Sequence, residues 1–187
     1  MTEGGSAPDY AAALSAFARA LPEPVPDYCL IGALALGVWG AVRATQDIDF
    51  LMVVDDARRD SLMASLAAAG FLIDNRWAEL NPMAKDRFVR LAFGPHAVAI
   101  MLARDALHRE ALARRRAVSF EGLTIPVSSA EDLMLLKLRG GRDQDFVDVV
   151  SVASRQGSAL DLAYLKRWAE RLGVSGELEY ALKTAAA

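Results

Sequence analysis

One cysteine and two histidines are all that 187 residues offer of the usual transition-metal ligands. Cys29 stands alone, which excludes a disulfide framework. It sits in an apolar run, where a thiol behaves as a small buried hydrophobe. His96 and His108 are each isolated, which argues against a histidine metal site or a histidine base. Positive charge is not in excess. The net charge is −3, so any contact with nucleic acid must come from a local patch. Long apolar runs are missing too. The stretch from Tyr28 to Val42 is too short to span a bilayer and ends at Arg43. Met1 to Tyr10 has neither basic residues nor an apolar core, so no secretory signal is expected there. These absences predict a soluble, cytoplasmic protein with no membrane partner. There are no internal repeats.

What is present is apolar residues, 53% of the chain, many of them alanine. The length and this composition predict a single domain over 1–187, rich in helix and of the α/β (α+β) class. Asp9 is the expected cap of a helix to about Leu21, with Tyr10, Leu14 and Phe17 on one face. Pro22, Pro24 and Pro26 stop it. Asp55 and Asp56 open a later helix that ends at Gly70. Phe71 to Asp74 reads as a short strand, and Asn75 to Lys85 as a loop around Asn81-Pro82 that could rim a site. Two strands follow, Arg87 to Phe93 and Ala97 to Leu102, and then a hairpin turning at Glu121-Gly122. Ser128 and Glu131 match a capping box. From 128 onward the pattern is helical.

Chemistry concentrates in Tyr28 to Phe50. This reads as strand, glycine turn at Gly32, helix, then a second strand opening on Asp47 and Asp49. Side chains alternate along a strand, so both carboxylates face one way while Ile48 and Phe50 face the core. Two acids one pleat apart repel unless a cation lies between them, and Mg²⁺ takes one or two carboxylates together with phosphates. Gly32 lets the backbone approach a ligand, and the helix it opens points free N–H groups at an anion. The plain alternative is a β-α-β corner with two solvated aspartates. The glycine turn just upstream favours the site.

Gly32-Ala33, a spacer, then Asp47-Ile48-Asp49 resembles the signature of the nucleotidyltransferase superfamily with the DNA-polymerase-β-like fold. With Gly40, Arg43 and Thr45 added, the string resembles the small bacterial branch of AbiEii-like and MenT-like toxin nucleotidyltransferases. A second stretch, Lys137 to Asp148, is similar to that branch's paired helices. The resemblance implies a mixed β-sheet flanked by helices, with a core at 9–127 and a helical C-terminal part at 128–187. It implies a nucleoside triphosphate as substrate, Mg²⁺ as cofactor, tRNA as a candidate acceptor and an antitoxin as a candidate partner. It assigns Asp47 and Asp49 to metal, and Gly32, Ala33, Arg43, Thr45, Lys137 and Arg142 to nucleotide. Lys137, Asp145 and Asp148 join Asp47 and Asp49 as the catalytic candidates.

Two features pull elsewhere. The superfamily often has a third carboxylate on a later strand, and the expected position here is Ala99, with Asp86 and Asp105 the nearest acids. That leaves open a catalytically degenerate nucleotide- or partner-binding protein. A small-molecule, antibiotic-type nucleotidyltransferase is the other alternative, although its cationic substrates call for an acidic cleft. The basic segment Arg104 to Arg116 is either a solvated helix face or a phosphate track for RNA. It has no interleaved aromatic residues.

Overall fold

The computed structural model describes residues 10–45, 47–84, 86–120 and 122–186. Asp9 and Glu121, expected as a cap and a turn residue, lie outside them, as does Lys85. Helix α1 (Tyr10–Ala20) leads to β1 (Tyr28–Ile31), α2 (Gly32–Trp39) and β2 (Asp47–Met52). Then come α3 (Asp56–Ala68), β3 (Leu72–Ile73), α4 (Asn75–Leu80), β4 (Phe88–Phe93) and β5 (His96–Leu102). Helix α5 (Ala106–Ala113) and the hairpin β6 (Arg116–Phe120) and β7 (Leu123–Val127) precede four helices. These are α6 (Ala130–Gly140), α7 (Asp143–Gln156), α8 (Leu162–Leu172) and α9 (Ser175–Ala185).

The strands form one mixed sheet in the order β3-β4-β5-β2-β1-β7-β6. β2 lies near its centre, antiparallel to β1 and parallel to β5. Its alternation decides what each face does. Ile48, Phe50 and Met52 are buried on one side. Phe17 of α1 stacks on Phe50 there, ring centroids 3.9 Å apart, and Phe71 meets Phe17 edge-on. Aromatic pairs of this kind add about 0.5–1.5 kcal/mol beyond burial. The opposite face carries Asp47 and Asp49. Helix α3 begins as its acids require, with the Asp55 side chain accepting from the Arg58 N–H at 2.8 Å.

Three local readings are corrected. Asn75 to Leu80 is a helix, not a loop, because Asp74 caps it by accepting from the Trp77 N–H at 2.8 Å. The cap of α6 is Ser129 rather than Ser128, and it accepts from the Asp132 N–H at 3.1 Å. Glu131 reaches instead to the Asp161 N–H at 3.0 Å, tying α6 to the start of α8. The basic segment is no continuous track. Arg114 bonds Asp132 and Glu131, each at 3.2 Å, and lies over the Tyr164 ring. Arg115 bonds Asp27 at 2.8 Å. Carboxylates from other parts of the chain thus take up two cations of the run, Arg114 and Arg115. No described helix is long and apolar enough to cross a membrane.

Candidate active site

Gly32 sits where β1 turns into α2, with φ +69°. A side chain there is excluded twice over. The backbone is left-handed, and a methyl group would fall 2.8 Å from Cγ of Asp49 and closer still to its Oδ2. The glycine turn and the Asp-x-Asp strand are therefore in contact: Ile31 pairs with Asp49 across β1 and β2. Helix α2 opens without a side-chain cap, so its first N–H groups have no side-chain acceptor there, and Gly32 and Ala33 border the space beside the carboxylates.

That space is a cavity of about 570 Å³, within the range of small-molecule sites. Asp47, Asp49, Gly32, Ala33, Arg43 and Thr45 line one side. Lys137, Arg142 and Asp145 line the helical side. Every residue that the sequence singled out for metal or nucleotide thus borders one cavity. Asp148 is not among the lining residues. It stands behind Lys137, 2.6 Å from the ammonium.

The two acids of β2 differ. Asp47 is exposed, and its N–H donates to Thr45 Oγ1 at 3.1 Å. Asp49 is half-buried. Burial pushes its carboxyl above the ordinary range and Asp47 adds to that, while Arg90, Lys137 and Arg142 pull it down. A carboxylate held uncomfortably as an anion beside another carboxylate favours any cation placed between them. Among the described residues, no group of three or more acids, histidines or cysteines is arranged for a metal. Two carboxylates alone suit one hard cation whose other ligands are phosphate and water.

Lys137 is less free than its sequence position suggests. It is only 6% exposed, and it donates to Asp145 at 3.2 Å and Asp148 at 2.6 Å. Arg142 makes a two-pronged contact to Asp145, at 2.7 and 3.1 Å. Arg43 lies 3.4 Å from Asp148, and Gln144 donates to it at 3.0 Å. The cluster holds three cations against two carboxylates, so one positive charge is left facing Asp47 and Asp49. Although burial works against it, the bonds from Arg142 and Lys137 hold the Asp145 carboxyl below its ordinary range. Gly140 makes the packing possible, since a methyl group there would lie 2.9 Å from Asp145 Oδ2.

The structure bears on the missing third carboxylate directly. Ala99 pairs with Asp49 across β2 and β5 and lines the cavity, so the position is beside the acids but carries no ligand. Asp86 is exposed, and its carbonyl accepts from Arg104. Asp105 caps α5 and bonds Arg139 at 2.7 Å. Neither borders the cavity. Sequence reasoning missed Arg90, Trp77, Phe88 and Met101, which all line it. The alternation of β4 and β5 with Ala99 as reference could have found Arg90 only with the strand pairing in hand. Cys29 is buried, and burial pushes its thiol up to about 12, which leaves it inert.

No protein-family profile and no curated protein sequence matches the chain. Solved structures do. The solution structure of the antibiotic-resistance factor ANT(2″)-Ia superposes with a TM-score of 0.59 at 15% identity, over 92% of this chain and 94% of that one. A crystal structure of ANT(2″)-Ia in complex with adenylyl-2″-tobramycin gives 0.56 at 14% identity, over 95% and 99%. A candidate nucleotidyltransferase from Thermotoga maritima gives 0.52 at 18% identity, over 73% and 88%. At these identities the likeness is one of fold. The seven-stranded mixed sheet with its flanking helices is a nucleotidyltransferase-type fold.

Proposed function

We propose that this chain transfers a nucleoside monophosphate from a nucleoside triphosphate to an acceptor hydroxyl. The observation that supports this most is the meeting of two motifs in one cavity. The Gly32 turn presents helix N–H groups, and Asp49 packs against it so closely that only glycine fits. In this reading the N–H groups of Gly32 and Ala33 take phosphate oxygens. Asp47 and Asp49 hold Mg²⁺, which supplies charge neutralisation on the triphosphate. Arg43, Thr45 and Arg142 border the same phosphates.

The acceptor oxygen attacks the α-phosphorus, the bond from that phosphorus to the bridging oxygen breaks, and pyrophosphate leaves. The hydroxyl proton passes to water. Asp145 is a poor base, being bonded to two cations with its carboxyl held low. It and Asp148 act by positioning Lys137 and Arg142. Catalysis then rests on orientation and charge placement rather than covalent chemistry. In this reading the reaction runs in the cytoplasm. The toxin branch, tRNA as acceptor and an antitoxin partner are supported by the sequence motifs alone.

A second reading, a small-molecule modifier, is favoured by the adenylylated tobramycin bound in the ANT(2″)-Ia crystal structure. Incubation with each α-labelled triphosphate, with total RNA or with tobramycin, and with or without Mg²⁺, separates the readings. Label transferred to RNA or to tobramycin, dependent on Mg²⁺, supports transfer and names the acceptor class. Absence of transfer with every triphosphate and both acceptors, while Mg²⁺-dependent nucleotide binding persists, would leave the degenerate binding protein instead.

A further inference from the structure

The position beside Asp49 carries no acid, and the strand beyond it carries a cation. Across β2, β5 and β4, Asp49 pairs with Ala99 and Ala99 pairs with Arg90. Residues in such a lateral row share a face of the sheet. Neighbouring strands are about 4.8 Å apart, so the Arg90 backbone stands roughly 10 Å from that of Asp49. All three residues line the cavity. Arg90 is half-buried. Its guanidinium lies 5.8 Å from the centre of the Trp77 ring. Among the described residues it has no carboxylate within ion-pair distance. It differs in this from Arg43, Lys137 and Arg142, which are bonded to Asp145 or Asp148.

An unpaired guanidinium in a half-buried site is set up to take an anion two-pronged. Its surroundings on the wall are apolar, from Trp77, Phe88 and Met101, and two of the three are aromatic. The two features suit one ligand chemistry, a flat ring joined to a phosphate. A polycation would meet Arg90 as a like charge. The small side chain of Ala99 is part of the arrangement, because an acid at that position would neutralise Arg90.

The geometry points to Arg90 and Trp77 as the acceptor subsite of this cavity, built for a nucleotide base with its phosphate. The assignment rests on the transfer reaction proposed above and names the acceptor class for it. Two sources share this chemistry, a free mononucleotide and the end of an RNA strand.

The test measures acceptor binding to the full chain without triphosphate, so that it stands whether or not triphosphate binds. The probes are a short fluorescein-labelled oligoribonucleotide, cytidine monophosphate, cytidine and tobramycin. Triphosphate binding is measured separately, with a non-hydrolysable analogue and Mg²⁺. The phosphorylated probes are expected to bind at least about tenfold tighter than cytidine or tobramycin, as for a hydrogen-bonded charge, and to weaken as salt rises. The oligoribonucleotide outbinding the monophosphate assigns the source to an RNA end, and the reverse order to a free nucleotide.

Arg90→Gln should lose about tenfold for the phosphorylated probes, leave cytidine unchanged and change the Mg²⁺-dependent triphosphate affinity, through Asp49, by less than it changes theirs. Ala99→Asp should mimic Arg90→Gln for the phosphorylated probes by giving Arg90 a partner. Trp77→Ala should weaken cytidine as well, and Trp77→Phe should restore it. Tobramycin binding as tightly as the phosphorylated probes overturns the assignment. So does undiminished binding of those probes by a folded Arg90→Gln variant. Arg90→Gln weakening the triphosphate as much as the acceptors would place Arg90 on the triphosphate and also overturn it. Loss of triphosphate binding in the natural protein, with Arg90-dependent acceptor binding intact, would refute the transfer reaction and leave the phosphate subsite standing.

Discussion

Replacing Lys137 by Met keeps the length and apolar stem of the side chain and removes the charge. Two carboxylates then lose their central partner. Asp145 and Asp148 are each only 2% exposed. Their other cations are Arg142, whose side chain is 79% exposed, and Arg43, at 39%. Removing one member of a buried ion pair costs about 3–5 kcal/mol, because the remaining charge is desolvated without compensation. At roughly 2–4 °C per kcal/mol for a chain of this size, the melting temperature should fall by about 6–20 °C. Lys137→Met combined with Asp148→Leu removes both members of the closer pair, leaves Asp145 to Arg142, and should recover part of the loss. Urea titration with linear extrapolation, at an unchanged slope, is the assay. pH gives an internal check. The folded pKa of Asp145 lies below its unfolded value. Its contribution is therefore present above the unfolded value and lost as pH falls through the folded one. The gap between natural protein and variant should close only below about pH 4. A single-variant loss under about 1 kcal/mol, as for a surface pair, or a double variant that adds the two single losses, would refute the reasoning.

Asp49→Asn should raise stability at neutral pH. The folded pKa of Asp49 is raised, so the favourable contribution exists below the unfolded value and is lost as pH rises through the folded one. At pH 7 the ionised group costs stability, and the advantage of Asn should vanish below about pH 4. Thermal melts across that range check the sign. An Asn variant less stable than the natural protein at pH 7 would contradict it. Gly32→Ala meets a left-handed backbone and Asp49 at once, and should cost about 2 kcal/mol or more. Adding Asp49→Asn should return only the gain that Asp49→Asn gives by itself, since the amide has the carboxylate's shape. Recovery beyond that gain would mean that charge, not space, sets the requirement for glycine.

How much of this was legible in the sequence depends on how local each feature is. The Gly32 turn and the strand with Asp47 and Asp49 span a single β-α-β unit, so turn chemistry and two-residue alternation reveal them. Helix α4 was hidden because six residues are too few for a helical period and Asn81-Pro82 punctuates its end. The cap of α6 was misplaced by one residue, since Ser128 and Ser129 are equally good caps in isolation. The engagement of Lys137 could not be seen, because its burial comes from α7 folding back over α6. Arg114 and Arg115 looked free because their partners Asp27, Glu131 and Asp132 are distant in sequence. The row from Asp49 through Ala99 to Arg90 depends on strand order, and a parallel β2–β5 pair cannot be read from either strand alone.

The central claim is that Asp47 and Asp49 hold a divalent cation together with a nucleoside triphosphate in the cavity beside Gly32. Calorimetric titration of a non-hydrolysable triphosphate, with and without Mg²⁺, into the natural protein and into the Asp47→Asn/Asp49→Asn variant tests it directly. The natural protein should bind in a Mg²⁺-dependent way, and the folded double variant should lose that dependence. Equal Mg²⁺-dependent affinity in both proteins, or none in the natural one, would contradict the claim.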